Sequence, residues 1–129
     1  MTPEELSKVA AEARVSAYAP YSKFQVGAAL LTETGEVFTG CNVENASYGL
    51  TICAERTAVF KAVSEGVRHF SAIAISVPGG GSPCGACRQV LNEFNPQLPV
   101  YLSDETGTIM STTTLEELLP NAFGPENLE

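Results

Sequence analysis

Apolar positions at Leu6, Val9, Ala10, Ala13 and Ala17 recur every three or four residues, the period of an amphipathic helix. Just upstream, Thr2-Pro3-Glu4-Glu5 has the chemistry of a helix start: Thr2 as N-cap, Pro3 at the first helical position and Glu5 as capping-box partner. Ala19-Pro20-Tyr21-Ser22 ends that helix. The period then changes. Phe24 to Leu31 is apolar on both alternations, the pattern of a strand covered on two faces. Thr32-Glu33-Thr34-Gly35-Glu36 makes a hairpin turn, and the chain returns as a second strand from Val37 to Val43.

Glu44 to Thr51 is small and polar, a loop. Ala58, Val59, Ala62 and Val63 predict a second helix from Cys53 to Glu65, closed by Gly66 in the place of a C′ glycine. Phe70 to Val77 alternates as a strand and stops at Pro78-Gly79-Gly80-Gly81. A third helix runs from Cys84 to Phe94 with Val90, Leu91 and Phe94 inward. Leu98 to Leu102 is a short buried strand, and Asp104-Glu105-Thr106-Gly107 turns into another at Thr108–Met110. Thr114 to Leu119 is a capped final helix, followed by a Pro/Gly/Asn-rich tail whose acids, Glu126 and Glu129, are expected in solvent. No repeat or low-complexity tract interrupts this order, so one domain is expected over residues 1–129. The order implies a mixed sheet with helices on both faces.

Composition narrows the function classes. With 129 residues, the chain is long enough to bury a core of its own. Apolar residues at 44% and charged ones at 17% place it among globular proteins. Seven Lys+Arg against fifteen Asp+Glu give a net charge of −8, which repels phosphate backbones and anionic membrane surfaces. A polynucleotide partner is therefore disfavoured. No apolar run approaches the ~18 residues of a membrane span, and the N-terminal stretch lacks a basic segment followed by an apolar one. A soluble, cytoplasmic protein without a membrane partner is the expectation.

Four cysteines stand at Cys41, Cys53, Cys84 and Cys87. In an intracellular chain with a core of its own, C-x-x-C with a third cysteine upstream reads as a metal site or a redox pair rather than as disulfides. Cys53-Ala54-Glu55 and Pro83-Cys84-Gly85-Ala86-Cys87 each open an expected helix. Residues i and i+2 lie about 200° apart around a helix, so Cys53 and Glu55 share a pocket only if Cys53 sits at the helix end. Cys84 and Cys87, at i and i+3, share a face in the first turn. Three thiols thus converge at two helix N-termini, where free N–H groups and the positive dipole ends favour thiolates. Three cysteines are one ligand short of a closed zinc site, and three ligands with one open position is the catalytic pattern. Zinc lowers the pKa of a water from ~15.7 to about 7, and Glu55 is placed to shuttle the proton. Arg56, one turn from Cys53, can donate to a thiolate and offset the excess negative charge of a three-cysteine site.

Cys-Ala-Glu (53–55) followed by Pro-Cys-Gly-Ala-Cys (83–87) resembles the zinc-deaminase signature of a metal ligand, any residue and Glu, with a later Pro-Cys-x-x-Cys. Tyr21 to Ala29, Gly40 to Ser47, Cys53 to Ala58 and Leu118 to Phe123 are similar to the homotetrameric cytidine deaminases, a likeness that covers essentially the whole chain. It implies a three-layer α/β/α sandwich with a five-stranded mixed sheet. The implied activity is hydrolysis of cytidine and 2′-deoxycytidine to uridine and 2′-deoxyuridine, with one Zn²⁺ per chain. By the same resemblance Cys53, Cys84 and Cys87 hold the metal and Glu55 moves the proton. Asn42 and Glu44 hold the ribose 3′-hydroxyl, Phe24 packs by the nucleoside, and the Ala54 N–H meets the base carbonyl. Phe123 reaches the site of a neighbouring subunit.

The rival readings are an aminohydrolase acting on another cytosine nucleoside, such as blasticidin S, and a non-catalytic zinc or redox module. Intact Glu55 and the absent fourth ligand weigh against the second. Outside the signature, Cys41 reads as a buried thiol in a strand and His69 as a solvated residue at a strand entrance.

Overall fold

The computed structural model describes residues 1–128; Glu129 lies outside the described residues. Helix α1 (Pro3–Ala13) starts as its sequence dictates: Thr2 Oγ accepts the Glu5 N–H at 3.1 Å, and the Glu5 carboxylate accepts the Thr2 N–H at 2.9 Å. It stops sooner than its period suggests. A 3-10 turn covers Arg14–Ser16, and Ala17 is already extended at ψ 137. The cause is pairing further on: the Tyr18 N–H donates to Asn42 O at 3.0 Å and the Glu44 N–H to Tyr18 O at 2.8 Å, which draws Ala17–Ala19 into a bridge.

Five strands follow: β1 (Gly27–Thr32), β2 (Val37–Cys41), β3 (Phe70–Ser76), β4 (Pro99–Ser103) and β5 (Ile109–Thr114). Their order is β2-β1-β3-β4-β5, antiparallel throughout except where β3 pairs with β4. That parallel step needs a crossover, and α3 (Gly85–Phe94) supplies it. Helix α2 (Ala54–Ser64) joins β2 to β3, and α4 (Leu115–Leu118) follows β5 under a Thr114 cap. Gly66 ends α2 at φ +85.

The sheet is covered on both sides, as a three-layer α/β/α fold requires. Leu6 and Ala10 of α1 pack on Ala29, Ala72 and Ala74. Ala28, Leu30, Ile73, Ile75 and Val100 face the other way, onto Ala58, Val59 and Ala62 of α2, Leu91 of α3 and Leu115 of α4. Two glycines allow this close approach. A Cβ on Gly27 would stand 2.0 Å from Ala10 O, and one on Gly40 would stand 2.2 Å from Ala54 O. The helices therefore rest almost on the strand backbone, which sets where α2 begins.

Three strand boundaries differ from the sequence expectation by more than one residue. Phe24–Val26 precedes β1 instead of belonging to it, because Lys23 turns the chain at φ +61 and the Asn42 side chain takes up the backbone there. β2 ends at Cys41, and Val43 makes only isolated bridges to Tyr18 and Ile52. β5 runs on past Met110 to Thr114, since the β-branched Thr112–Thr114 suit an edge strand with a wet face despite their polarity. No helix among the described residues is long and apolar enough to cross a membrane.

Candidate active site

The N-termini of α2 and α3 meet at one end of the sheet, and each begins with a cysteine. Cys53 is the N-cap of α2 at φ −81, ψ 157, and Cys84 the N-cap of α3 at φ −66, ψ 167. Neither side chain caps its helix, so both sulfurs are free to face outward along the axis. Cys87, three residues on, is buried in the first turn of α3. Cys53 Sγ lies 3.8 Å from Cys84 Sγ, Cys84 Sγ lies 3.5 Å from Cys87 Sγ, and all three sulfurs fall within 4.8 Å of one another.

This donor set fits zinc. Zn–S bonds of about 2.3 Å in a tetrahedron require sulfurs about 3.8 Å apart, close to the spacings found here. Among the described residues no fourth Cys, His or carboxylate joins the group, which leaves a tetrahedral position for a water. Cys41 is half-buried on β2, less enclosed than its strand position suggested, and stands outside the cluster.

Charge within the cluster is uneven. Hydrogen bonding with Cys87 pulls the Cys53 thiol well below its ordinary value, and Arg56 lowers it further. The same bond pushes Cys87 up. The sulfur beside Arg56 thus carries negative charge first. Arg56 Nη2 donates to Cys53 Sγ at 3.4 Å, and that contact holds the guanidinium firmly protonated. Glu55, at 4% exposure, is pushed up to about 7 by burial and by the neighbouring Cys53 charge.

A pocket of about 390 Å³ opens beside the cluster, within the size range of small-molecule sites. Phe24, Asn42, Glu44 and Ala54 line it together with Cys53, Glu55 and Cys84. Asn42 also holds the pocket wall: its Oδ1 accepts the Val26 N–H at 2.9 Å and its Nδ2 donates to Phe24 O at 2.8 Å. Ala54 is fully buried in the first turn of α2, where backbone N–H groups have no intrahelical acceptor. Phe123 does not line this pocket. The residue is 59% exposed, while its carbonyl accepts from Gln89 Nε2 at 2.8 Å and Asn92 Nδ2 at 3.3 Å. His69 is exposed, as expected of a solvated residue.

Sequence reasoning passed over two residues of this region. Ser22 lines the pocket and bonds Glu44. Arg88, one turn beyond Cys84, donates to Pro83 O at 2.8 Å and to Ser82 Oγ at 2.9 Å, bracing the approach to α3. A serine in a turn and an arginine on a helix carry no local mark of such contacts.

Residues 1–103 match the family model described as the cytidine and deoxycytidylate deaminase zinc-binding region. A cytidine deaminase of Sporosarcina psychrophila is 55% identical over 131 residues, covering 99% of this chain and 96% of the relative. One of Halalkalibacterium halodurans is 53% identical over 135 residues, covering 99% and 98%. Among solved structures, the cytidine deaminase of Burkholderia pseudomallei superposes with a TM-score of 0.91 at 53% identity, covering 95% of this chain and 100% of that one. That of Mycobacterium tuberculosis gives 0.84 at 42% identity, with 96% and 98% covered. All three cysteines of the cluster fall inside the matched region, and the chain belongs to the cytidine and deoxycytidylate deaminase family.

Proposed function

We propose that residues 1–129 form one deaminase domain that hydrolyses cytidine and 2′-deoxycytidine to the corresponding uridines with release of ammonia. The observation that carries this reading is the placement of Glu55, a buried carboxylate two residues from Cys53, in one pocket with two of the three sulfurs. A redox pair or structural zinc knuckle has no use for such a carboxylate or for an open ligand position.

Cys53, Cys84 and Cys87 would hold the zinc. Zinc, when bound there, lowers the pKa of a water so that it attacks at neutral pH. Glu55 takes the proton from the attacking water and passes it to N3 of the base as C4 becomes tetrahedral. Glu55 then takes the remaining proton of the hydroxyl added at C4 and delivers it to the departing amino group, which leaves as ammonia as the C4 carbonyl forms. The Ala54 N–H, free at the head of α2, meets the base carbonyl. Asn42 and Glu44 hold the ribose 3′-hydroxyl, and Phe24 packs by the nucleoside. Arg56 offsets part of the charge of three thiolates through Cys53.

A homotetramer in the cytoplasm completes the reading, with Phe123 closing a neighbouring subunit's pocket. Support for assembly comes from apolar side chains exposed in the single chain, among them Phe123 at 59%, Leu50 at 70% and Tyr48 at 76%. The net charge of −8 favours a small nucleoside over a polynucleotide. The deciding experiment is turnover of cytidine and 2′-deoxycytidine by the zinc-loaded protein, followed as uridine formation. A protein that binds zinc but turns over neither would point to the non-catalytic module.

A further inference from the structure

Glu44 stands in the loop between β2 and α2, and its carboxylate is held by a single short segment, Tyr21–Ser22. Oε1 accepts the Tyr21 N–H at 3.0 Å and the Ser22 N–H at 3.1 Å, and Oε2 accepts the Ser22 hydroxyl. The same Ser22 Oγ accepts the Phe24 N–H at 3.0 Å. One hydroxyl therefore joins a carboxylate to the backbone of an aromatic residue, and both residues line the pocket. A serine can make both bonds only with its hydrogen directed at the carboxylate and a lone pair at the amide.

Between them Lys23 holds φ +61, a left-handed conformation unfavourable for any residue with a Cβ. Such a turn persists where its neighbours over-determine it. The Lys23 N–H donates to Ala19 O at 3.0 Å, and Ser22 supplies the contacts on the pocket side. Three donors to Glu44 also keep it an ionised acceptor, its carboxyl held below the usual range foremost by the Ser22 hydroxyl. A carboxylate offers about four acceptor directions, of which three are filled, so the group it meets on a ligand must be a donor such as a hydroxyl.

We propose that Ser22 is a positioning residue for nucleoside selection. Its hydroxyl orients the Glu44 carboxylate toward the sugar and ties that orientation to Phe24, so that Ser22 sets the preference for a free 3′-hydroxyl. This rests on the reading of Glu44 as a ribose partner given above.

The test is steady-state kinetics of zinc-loaded wild type, Ser22→Ala and Ser22→Thr with cytidine and with 3′-deoxycytidine. The wild type is expected to favour cytidine in kcat/KM. Ser22→Ala is expected to raise KM for cytidine about tenfold with kcat within about twofold, the scale of one hydrogen bond to a charged group. On 3′-deoxycytidine the same change should cost clearly less in kcat/KM than on cytidine, because the group Glu44 serves is gone and only the tie to Phe24 is lost. Ser22→Thr, which keeps the hydroxyl, restores the cytidine KM. Ser22→Cys, close in shape but a poor donor, gives the alanine result by an independent route. Equal losses on both substrates, or an unchanged cytidine KM, overturn the role of Ser22 while leaving Glu44 as a ribose partner. A wild type that does not distinguish the two substrates overturns the reading of Glu44, and the role of Ser22 falls with it.

Discussion

Arg56 Nη2 lies 3.4 Å from Cys53 Sγ, so the head of α2 presents a sulfur of the cluster together with a cation bonded to it. Three thiolates and Zn²⁺ sum to −1, which weakens zinc as a Lewis acid, and the guanidinium draws charge back from one sulfur. Arg56→Gln is therefore expected to lose activity while the protein stays folded. Adding Cys53→His, which removes one negative charge, should restore part of it. An Arg56→Gln protein with the wild-type rate and pH profile would show that the charge needs no compensation.

Glu55 and Cys84 should fail in different ways. Glu55→Gln keeps the cluster and its zinc but loses at least ~10²-fold in kcat, the usual scale for a general acid and base. Cys84→Ala removes one of the three sulfurs proposed to hold zinc, so metal analysis after dialysis should find the zinc lost. Near-normal turnover by Glu55→Gln, or zinc retained undiminished by Cys84→Ala, contradicts the roles assigned to them.

Phe123→Ala should weaken nucleoside binding more than zinc retention, because the ring stands away from its own chain's pocket while its backbone is fixed to α3. Sedimentation alongside activity checks the arrangement. A fully active monomer would leave no role for a ring supplied by a neighbour.

Gly27→Ala should destabilise the fold by about 2 kcal/mol or more, since its Cβ would stand 2.0 Å from Ala10 O and 2.8 Å from Arg14 N. Both atoms are backbone, so relief requires α1 to move off the sheet. Denaturant unfolding measures this; an unchanged midpoint would mean that α1 docks less closely than described.

Signals carried by near neighbours were legible from the sequence. Thr2 and Glu5 cap each other across three residues, and Gly66 ends α2 where the helical period stops. Of the sulfur cluster only the Cys84–Cys87 pair is local, sharing one helix turn; Cys53 reaches them through the packing of α2 beside α3, which only the resemblance to the zinc-deaminase signature implied. What depends on distant pairing was not. Ala17 keeps the helical period, yet Tyr18 pairs with Asn42 and Glu44 across more than twenty residues. Phe24–Val26 looks like a strand by composition, but the Asn42 side chain engages its backbone ahead of the β1 ladder. Ser22 is unmarked in sequence because its partner lies 22 positions away and a hydroxyl fits any turn.

In the proposed reaction, water activated at the sulfur cluster and relieved of its proton by Glu55 replaces the amino group at C4. Turnover of cytidine by the zinc-loaded protein in water enriched in oxygen-18 tests it most directly. One labelled oxygen at C4 of uridine and one ammonia for each cytidine consumed is the result predicted. Cytidine left unchanged by a protein that carries its full complement of zinc, or uridine formed without the label, would contradict it.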